Sequence, residues 1–246
     1  MNARYIAPKH IMIKVIPIRL FNLWKLKCRH VLWALILLTV AATSYADQTG
    51  TLAEPANSLA KQTRVLIVGD SLSASYGIPT ENSWAVLLEE SYQSSEHSAD
   101  IINASISGET TGGARQRLPQ LLTSHQPDIT IIELGGNDGL RGFPLKVIKN
   151  NLEQMIKLAL EHDSQPILVG MRIPPNYGPQ YTEGFFNLFQ ELATQYNLPL
   201  IPFFLDGIAL DSSLMQNDGI HPNAQAQPLL LAKIREVLDP VLANIN

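Results

Sequence analysis

Five short apolar runs recur between residues 65 and 201, and segments of helical spacing separate and follow them. The runs are 65–68 (Val-Leu-Ile-Val), 101–102, 129–134, 167–169 and 200–201. Their residues are largely β-branched and apolar at successive positions, which suits strands covered on both faces. The helical segments are 84–92, 115–122, 145–162, 185–196 and 224–238. In the longest, Val147, Ile148, Leu152, Met155, Ile156 and Leu160 recur at helical intervals. Strands alternating with helices imply parallel pairing through helical crossovers. The expected fold is therefore α/β: a three-layer α/β/α (flavodoxin-like) sandwich around a parallel five-stranded sheet.

Sheets of this kind bind ligands at the carboxyl ends of their strands. The chain concentrates polar residues and glycines at those positions. Gly69-Asp70-Ser71-Leu72-Ser73 follows the first run, Asn103 to Thr110 the second, and Gly135-Gly136-Asn137-Asp138-Gly139 the third. Asp218-Gly219-Ile220-His221-Pro222 lies between the last strand and the last helix. Acyl transfer needs a nucleophile, a base within hydrogen-bond reach, a group that orients the base, and donors for the developing oxyanion. Ser71 is the candidate nucleophile and His221 the base, since imidazole accepts a hydroxyl proton near neutral pH. Asp218, three residues earlier, can reach the far ring nitrogen. The oxyanion donors would be the backbone N–H of Ser71, the backbone N–H of Gly108 and the side-chain amide of Asn137. Taken singly, each feature has an ordinary reading as a helix cap, a solvated loop or a turn. Those readings fail jointly, because all four clusters fall in order at strand ends. His97, His125 and His162 read as surface residues.

Taken together, Gly69-Asp70-Ser71-Leu72, Gly108, Asn137 and Asp218-x-x-His221 resemble the four sequence blocks of the SGNH (GDSL-type) hydrolases, in the same order. The resemblance covers nearly all of the chain beyond residue 62. It is strongest to the periplasmic thioesterase, arylesterase and lysophospholipase type within that family. It implies the SGNH hydrolase fold over residues 63–246, with Ser71 as nucleophile, Asp218 and His221 as acid and base, and Gly108 and Asn137 as oxyanion donors. It also implies fatty-acyl thioesters and carboxylic esters, including lysophospholipids and aryl esters, as substrates. No Gly-x-Ser-x-Gly elbow surrounds Ser71, which disfavours the α/β-hydrolase fold.

The loops after the third and fourth runs place Leu140, Phe143, Ile173, Pro174 and Tyr177 on the rim that carries Ser71. They are expected to line an apolar acyl groove, with ordinary loop packing as the competing reading. Asp70 reads either as a brace of its own loop or as part of that substrate site. A carbohydrate O-deacetylase of the same superfamily is the main alternative, and these apolar residues weigh against it. A non-catalytic binding module would have no need of Ser71, Asp218 and His221 together.

The N-terminus differs in kind. Residues 1–46 carry seven Lys or Arg and no acidic residue, then an apolar run at 31–42 and Thr43-Ser44-Tyr45-Ala46. This pattern is expected to be a secretory signal peptide cleaved after Ala46. Its apolar run falls short of the roughly 20 residues of a membrane span. Residues 47–62 are expected to be a flexible mature N-terminus. The destination is the periplasm, or the medium if the host lacks an outer membrane. The chain has 18 basic and 22 acidic residues; without the leader's seven cations, 11 remain against 22, a net charge of −11. That disfavours nucleic acid and anionic membranes as partners. Cys28, the only cysteine, lies in the leader, so the mature chain has no disulfide. No cofactor and no metal are expected, since no ligand spacing is present. The expectation is a monomer acting on a small acyl ester or thioester.

Overall fold

The computed structural model describes residues 62–93 and 99–245. The expected leader, the stretch that follows it up to residue 61, and His97 lie outside the described residues. The elements are β1 (Thr63–Gly69), α1 (Trp84–Gln93), β2 (Ala99–Asn103), α2 (Thr111–His125), β3 (Ile129–Glu133), α3 (Gly136–Leu140), α4 (Leu145–Glu161), β4 (Gln165–Val169), α5 (Pro179–Tyr196), β5 (Leu200–Ile201) and α6 (Gln227–Ile245). The five strands form one sheet in the order β2-β1-β3-β4-β5, and every pairing is parallel.

Period-two alternation explains why the strands are apolar throughout. Val65 and Ile67 enter one core with Trp84 and Leu88 of α1 and Leu230, Ile234 and Leu238 of α6. Leu66 and Val68 enter the other, with Leu118 and Leu122 of α2, Leu152 and Met155 of α4, and Phe185 and Phe189 of α5. Helices thus cover both faces, giving the expected α/β/α sandwich. Each such buried side chain contributes about 1.5–3 kcal/mol of transfer free energy.

The order 2-1-3-4-5 fixes where a site can form. From β1 the chain first crosses outward to β2, then returns past β1 to β3. The carboxyl ends of β1 and β3 therefore flank the switch point, where the two crossovers leave a crevice.

Several boundaries differ from expectation for local reasons. Helix α2 begins at Thr111 because Thr110 caps it, its Oγ1 accepting from Gly113 N at 3.2 Å. The pair Gly112-Gly113 hides that start, since glycine is a poor helix former. Helix α5 begins six residues early, at Pro179, a favoured first helical position. The final helix starts at Gln227 after a 3-10 turn at Ala224–Ala226 and continues to Ile245. Helix α3 sits in a segment expected to be a loop.

Candidate active site

The nucleophile candidate sits on a tight turn after β1. Ala74 N donates to Asp70 O at 3.0 Å and Tyr76 N to Ser71 O at 3.3 Å, coiling the chain immediately beyond the strand. Asp70 Oδ1 accepts from Leu72 N at 3.1 Å, closing an Asx-type turn around Ser71. Asn103, at the end of β2, donates from Nδ2 to Ser73 O at 2.8 Å and holds the turn from the neighbouring strand.

The base candidate arrives on a separate hairpin. Gln216 N donates to His221 O at 2.7 Å and Asn223 N to Leu214 O at 2.8 Å, with Met215 and Pro222 bridged antiparallel. Gly219 lies at the bend with φ +66°, a left-handed conformation that favours glycine. Asp218 Oδ1 accepts from Ile220 N at 2.9 Å and His221 N at 3.0 Å, so the acid folds the loop that carries its partner.

The two segments meet at one imidazole. His221 Nε2 lies 2.8 Å from Ser71 Oγ, and His221 Nδ1 lies 2.7 Å from Asp218 Oδ2. With Asp218 ionised, Nδ1 must carry the proton and Nε2 must be the acceptor for the hydroxyl. Burial of Asp218 would raise its pKa, but hydrogen bonds from His221 N, the His221 ring and Ile220 N outweigh it and hold the carboxyl down to about 2. Tyr76 packs on the imidazole with ring centroids 4.5 Å apart. Gln216 Nε2 donates to Tyr76 O at 2.8 Å and Pro222 O at 3.0 Å, tying the hairpin to the serine turn.

Asn137 and Gly108 reach the same rim from the two neighbouring crossovers. Gly135, with φ +115°, turns the chain sharply out of β3 into α3, where Asn137 lies in the first turn. Asn137 Nδ2 donates one hydrogen to Asp70 Oδ2 at 3.0 Å, which leaves its second hydrogen for a ligand. Gly108, with φ +78°, occupies the bend in which Glu109 N donates to Ile106 O. Ile106 N in turn donates to Gly69 O at 3.1 Å, anchoring that loop beside Ser71. Asp138 joins the two crossovers: its carboxylate accepts from Thr111 N at 2.9 Å and Thr111 Oγ1 at 2.6 Å.

Two buried acids lie underneath. Asp70 is 3 % exposed, and burial, partly offset by its hydrogen bonds and by His221, pushes its pKa up to about 6. Glu133 is fully buried; burial first, then the charge of Asp70, pushes its pKa well above the ordinary value.

The expected groove residues fall into two groups. Leu140 and Tyr177 are half-buried and joined, Tyr177 Oη donating to Leu140 O at 2.6 Å. Phe143 and Pro174 are exposed, whereas Ile173 is buried. A Cβ on Gly139 would lie 2.8 Å from Ile173 Cγ2, so α3 and the loop after β4 approach closely there. Asp70 is turned inward, onto Leu72 and Asn137. Among the described residues no three His, Cys, Asp or Glu side chains are grouped as metal ligands.

Sequence reasoning missed Glu133, Asp138, Asn103 and Tyr76. Glu133 is the one acid in the run 129–134, but nothing in the sequence gives its partners. The others read as turn or strand-end residues, and only the fold gives them partners.

Comparison with known proteins points the same way. Residues 67–228 match the GDSL-like Lipase/Acylhydrolase family. An arylesterase from Vibrio mimicus is 43% identical over 175 residues, covering 71% of this chain and 88% of that protein. The thioesterase 1/protease 1/lysophospholipase L1 of Escherichia coli is 41% identical over 178 residues, covering 72% and 84%. The crystal structure of a psychrotrophic esterase from a Pseudoalteromonas species, inhibited by monoethylphosphonate, has a TM-score of 0.71 and 43% identity, covering 74% of this chain and 100% of that one.

Proposed function

The chain belongs to the GDSL-like lipase/acylhydrolase family, and from that premise we propose that it is a serine hydrolase of fatty-acyl thioesters and carboxylic esters. One observation carries the mechanism: the continuous chain Ser71 Oγ, His221 Nε2, His221 Nδ1, Asp218 Oδ2, at 2.8 and 2.7 Å.

Ser71 Oγ attacks the acyl carbonyl carbon as His221 Nε2 takes its proton. The imidazolium so formed is stabilised by Asp218, which also fixes its orientation. The carbonyl oxygen becomes an oxyanion and is met by Ser71 N–H, Gly108 N–H and the second Nδ2 hydrogen of Asn137. Collapse breaks the bond to the leaving thiol or alcohol, which receives the proton from His221. Water then attacks the acyl-serine, giving its proton to His221. The second collapse releases the acid and returns the proton to Ser71 Oγ.

The substrates are small acyl esters and thioesters, with lysophospholipid and aryl esters included. The acyl chain lies over Leu140, Phe143, Pro174 and Tyr177. The Vibrio relative is named for aryl esters and the Escherichia coli relative for thioesters and lysophospholipids, which supports that range. The basic, apolar and small-residue pattern of residues 1–46 supports export to the periplasm as a cleaved signal peptide. Among the described residues no helix is long and apolar enough to cross a membrane. The mature charge of −11 supports neither nucleic acid nor anionic lipid as a partner. We assign it as a monomer.

The test is hydrolysis of p-nitrophenyl esters and acyl-CoA thioesters from acetyl to palmitoyl, by the mature protein and by Ser71→Ala. Activity that rises with chain length and disappears in the variant is expected. Activity confined to acetyl would favour a carbohydrate deacetylase, and a fully active Ser71→Ala would end the serine mechanism.

A further inference from the structure

Beneath Ser71 lies a buried acid that none of the acyl-transfer steps uses. Glu133 ends β3, the strand paired with β1, and its Cα partner across the sheet is Gly69. Its side chain is fully buried. Glu133 Oε2 accepts from Asp70 N at 3.2 Å and from Ser73 Oγ at 2.6 Å. The two residues it holds flank Ser71 closely, one immediately before it and one two positions after. A Cβ built on Gly69 would lie 2.6 Å from the same Oε2, so the carboxyl group lies against the strand end where the turn begins.

The other oxygen, Oε1, is buried and has no hydrogen-bond partner, and neither has the nearby buried Ser105 Oγ. A carboxylate with a bare oxygen in such a place is costly, whereas a protonated carboxyl group tolerates it better. Burial and the charge of Asp70 act in the same direction. The other acid of the pair, Asp70, accepts from Asn137 through its own carboxyl group. One residue, Asp70, is thus held through its backbone by Glu133 and holds the oxyanion side chain through its own carboxylate. The peptide that carries Ser71 N–H directly follows the N–H that Glu133 binds.

We infer that Glu133, as an uncharged acid, is the positioning residue that sets the Ser71 turn and its N–H against the Asn137 amide. This rests on the serine-hydrolase reading above. Displacing reacting groups by about an ångström can cost on the order of a hundredfold in rate, so a loosened turn should appear in kcat while substrate still binds.

The test compares Glu133→Ala, Glu133→Gln and Ser71→Ala on one p-nitrophenyl ester, with active sites counted by phosphonate titration and melting followed in parallel. Glu133→Ala is expected to lower kcat by about tenfold or more with KM within about twofold. Glu133→Gln keeps a neutral group with one acceptor oxygen, and should restore most of that loss. If Glu133→Ala melts earlier yet retains wild-type kcat per active site, the role is structural and the inference fails. If Glu133→Gln is as slow as Glu133→Ala, the uncharged-acid assignment fails. Should Glu133→Ala not fold, Ser73→Ala removes one of the same two bonds, and an unchanged kcat there overturns the inference. A fully active Ser71→Ala would instead remove the serine mechanism itself, which separates the two failures.

Discussion

Asp70 Oδ2 accepts a 3.0 Å hydrogen bond from Asn137 Nδ2, across 67 residues of sequence and between the ends of β1 and β3. The residue next to the proposed nucleophile therefore aims the side chain proposed as an oxyanion donor. Asp70→Ala should free the Asn137 amide to rotate and lower kcat by about 10- to 100-fold, with a smaller change in KM. Steady-state kinetics on a soluble ester would show it; a change confined to KM would place Asp70 in substrate binding instead.

Asp218, the proposed partner of the base, is expected to affect both chemistry and folding. Asp218→Asn should reduce kcat by about 10²- to 10⁴-fold, because the amide no longer stabilises the imidazolium and permits the wrong tautomer. The folded carboxyl titrates at about 2 against an ordinary 3.8, so its stabilising contribution is present above about pH 4 and is lost as pH falls through about 2. The melting temperature of wild type should exceed that of Asp218→Asn at pH 6, and the gap should close towards pH 2. The exposure of this acid keeps the gap small.

Asp70 has the opposite sign. Its folded pKa is raised to about 6 from 3.8, so the folded state binds a proton more tightly than the unfolded chain between those values. Its contribution is greatest below about pH 4 and declines as pH rises to about 6, by on the order of 3 kcal/mol. Urea unfolding of wild type and Asp70→Ala at pH 4 and pH 7 should give a larger deficit for the variant at the acidic pH. Equal deficits would mean that Asp70 titrates normally.

Gly69 is needed for lack of a side chain. An added Cβ would meet Glu133 Oε2 at 2.6 Å, Ser73 Oγ at 2.7 Å and Ser105 Oγ at 2.9 Å, all in a packed interior. Gly69→Ala should destabilise the fold by about 1–3 kcal/mol in urea titration and slow the enzyme, since the displaced groups hold the serine turn. Wild-type stability would show that the pocket relaxes around a methyl group.

The layers were legible because burial on both faces leaves its mark in each strand separately: Val65 to Val68 reads as a covered strand with no knowledge of its neighbours. Ser71, Asp218 and His221, which the structure brings together, could be singled out because each lies in a short, chemically distinctive cluster at a strand end or before a helix. Glu133 and Asp138 were not, since what they do depends on partners 63 and 27 residues away. An acid at the end of a strand looks the same in sequence whether it faces water or supports a turn. Helix α3 was hidden for a related reason, because Gly136, Asn137, Asp138 and Gly139 are all weak helix formers. Tertiary bonds to Thr111 and Asp70 hold them in place.

The hairpin that carries Asp218 and His221 closes on its own backbone bonds and meets the serine turn through His221, Tyr76 and Gln216. The proposed nucleophile and base thus lie on two pieces of chain, one continuous with the central sheet and one closed by its own backbone bonds. Excursions of the second piece would silence the enzyme while the sandwich stays intact. The free energy of that local opening is to be read from amide exchange at Gln216 and Asn223, and activity is expected to fail at a lower temperature than global melting.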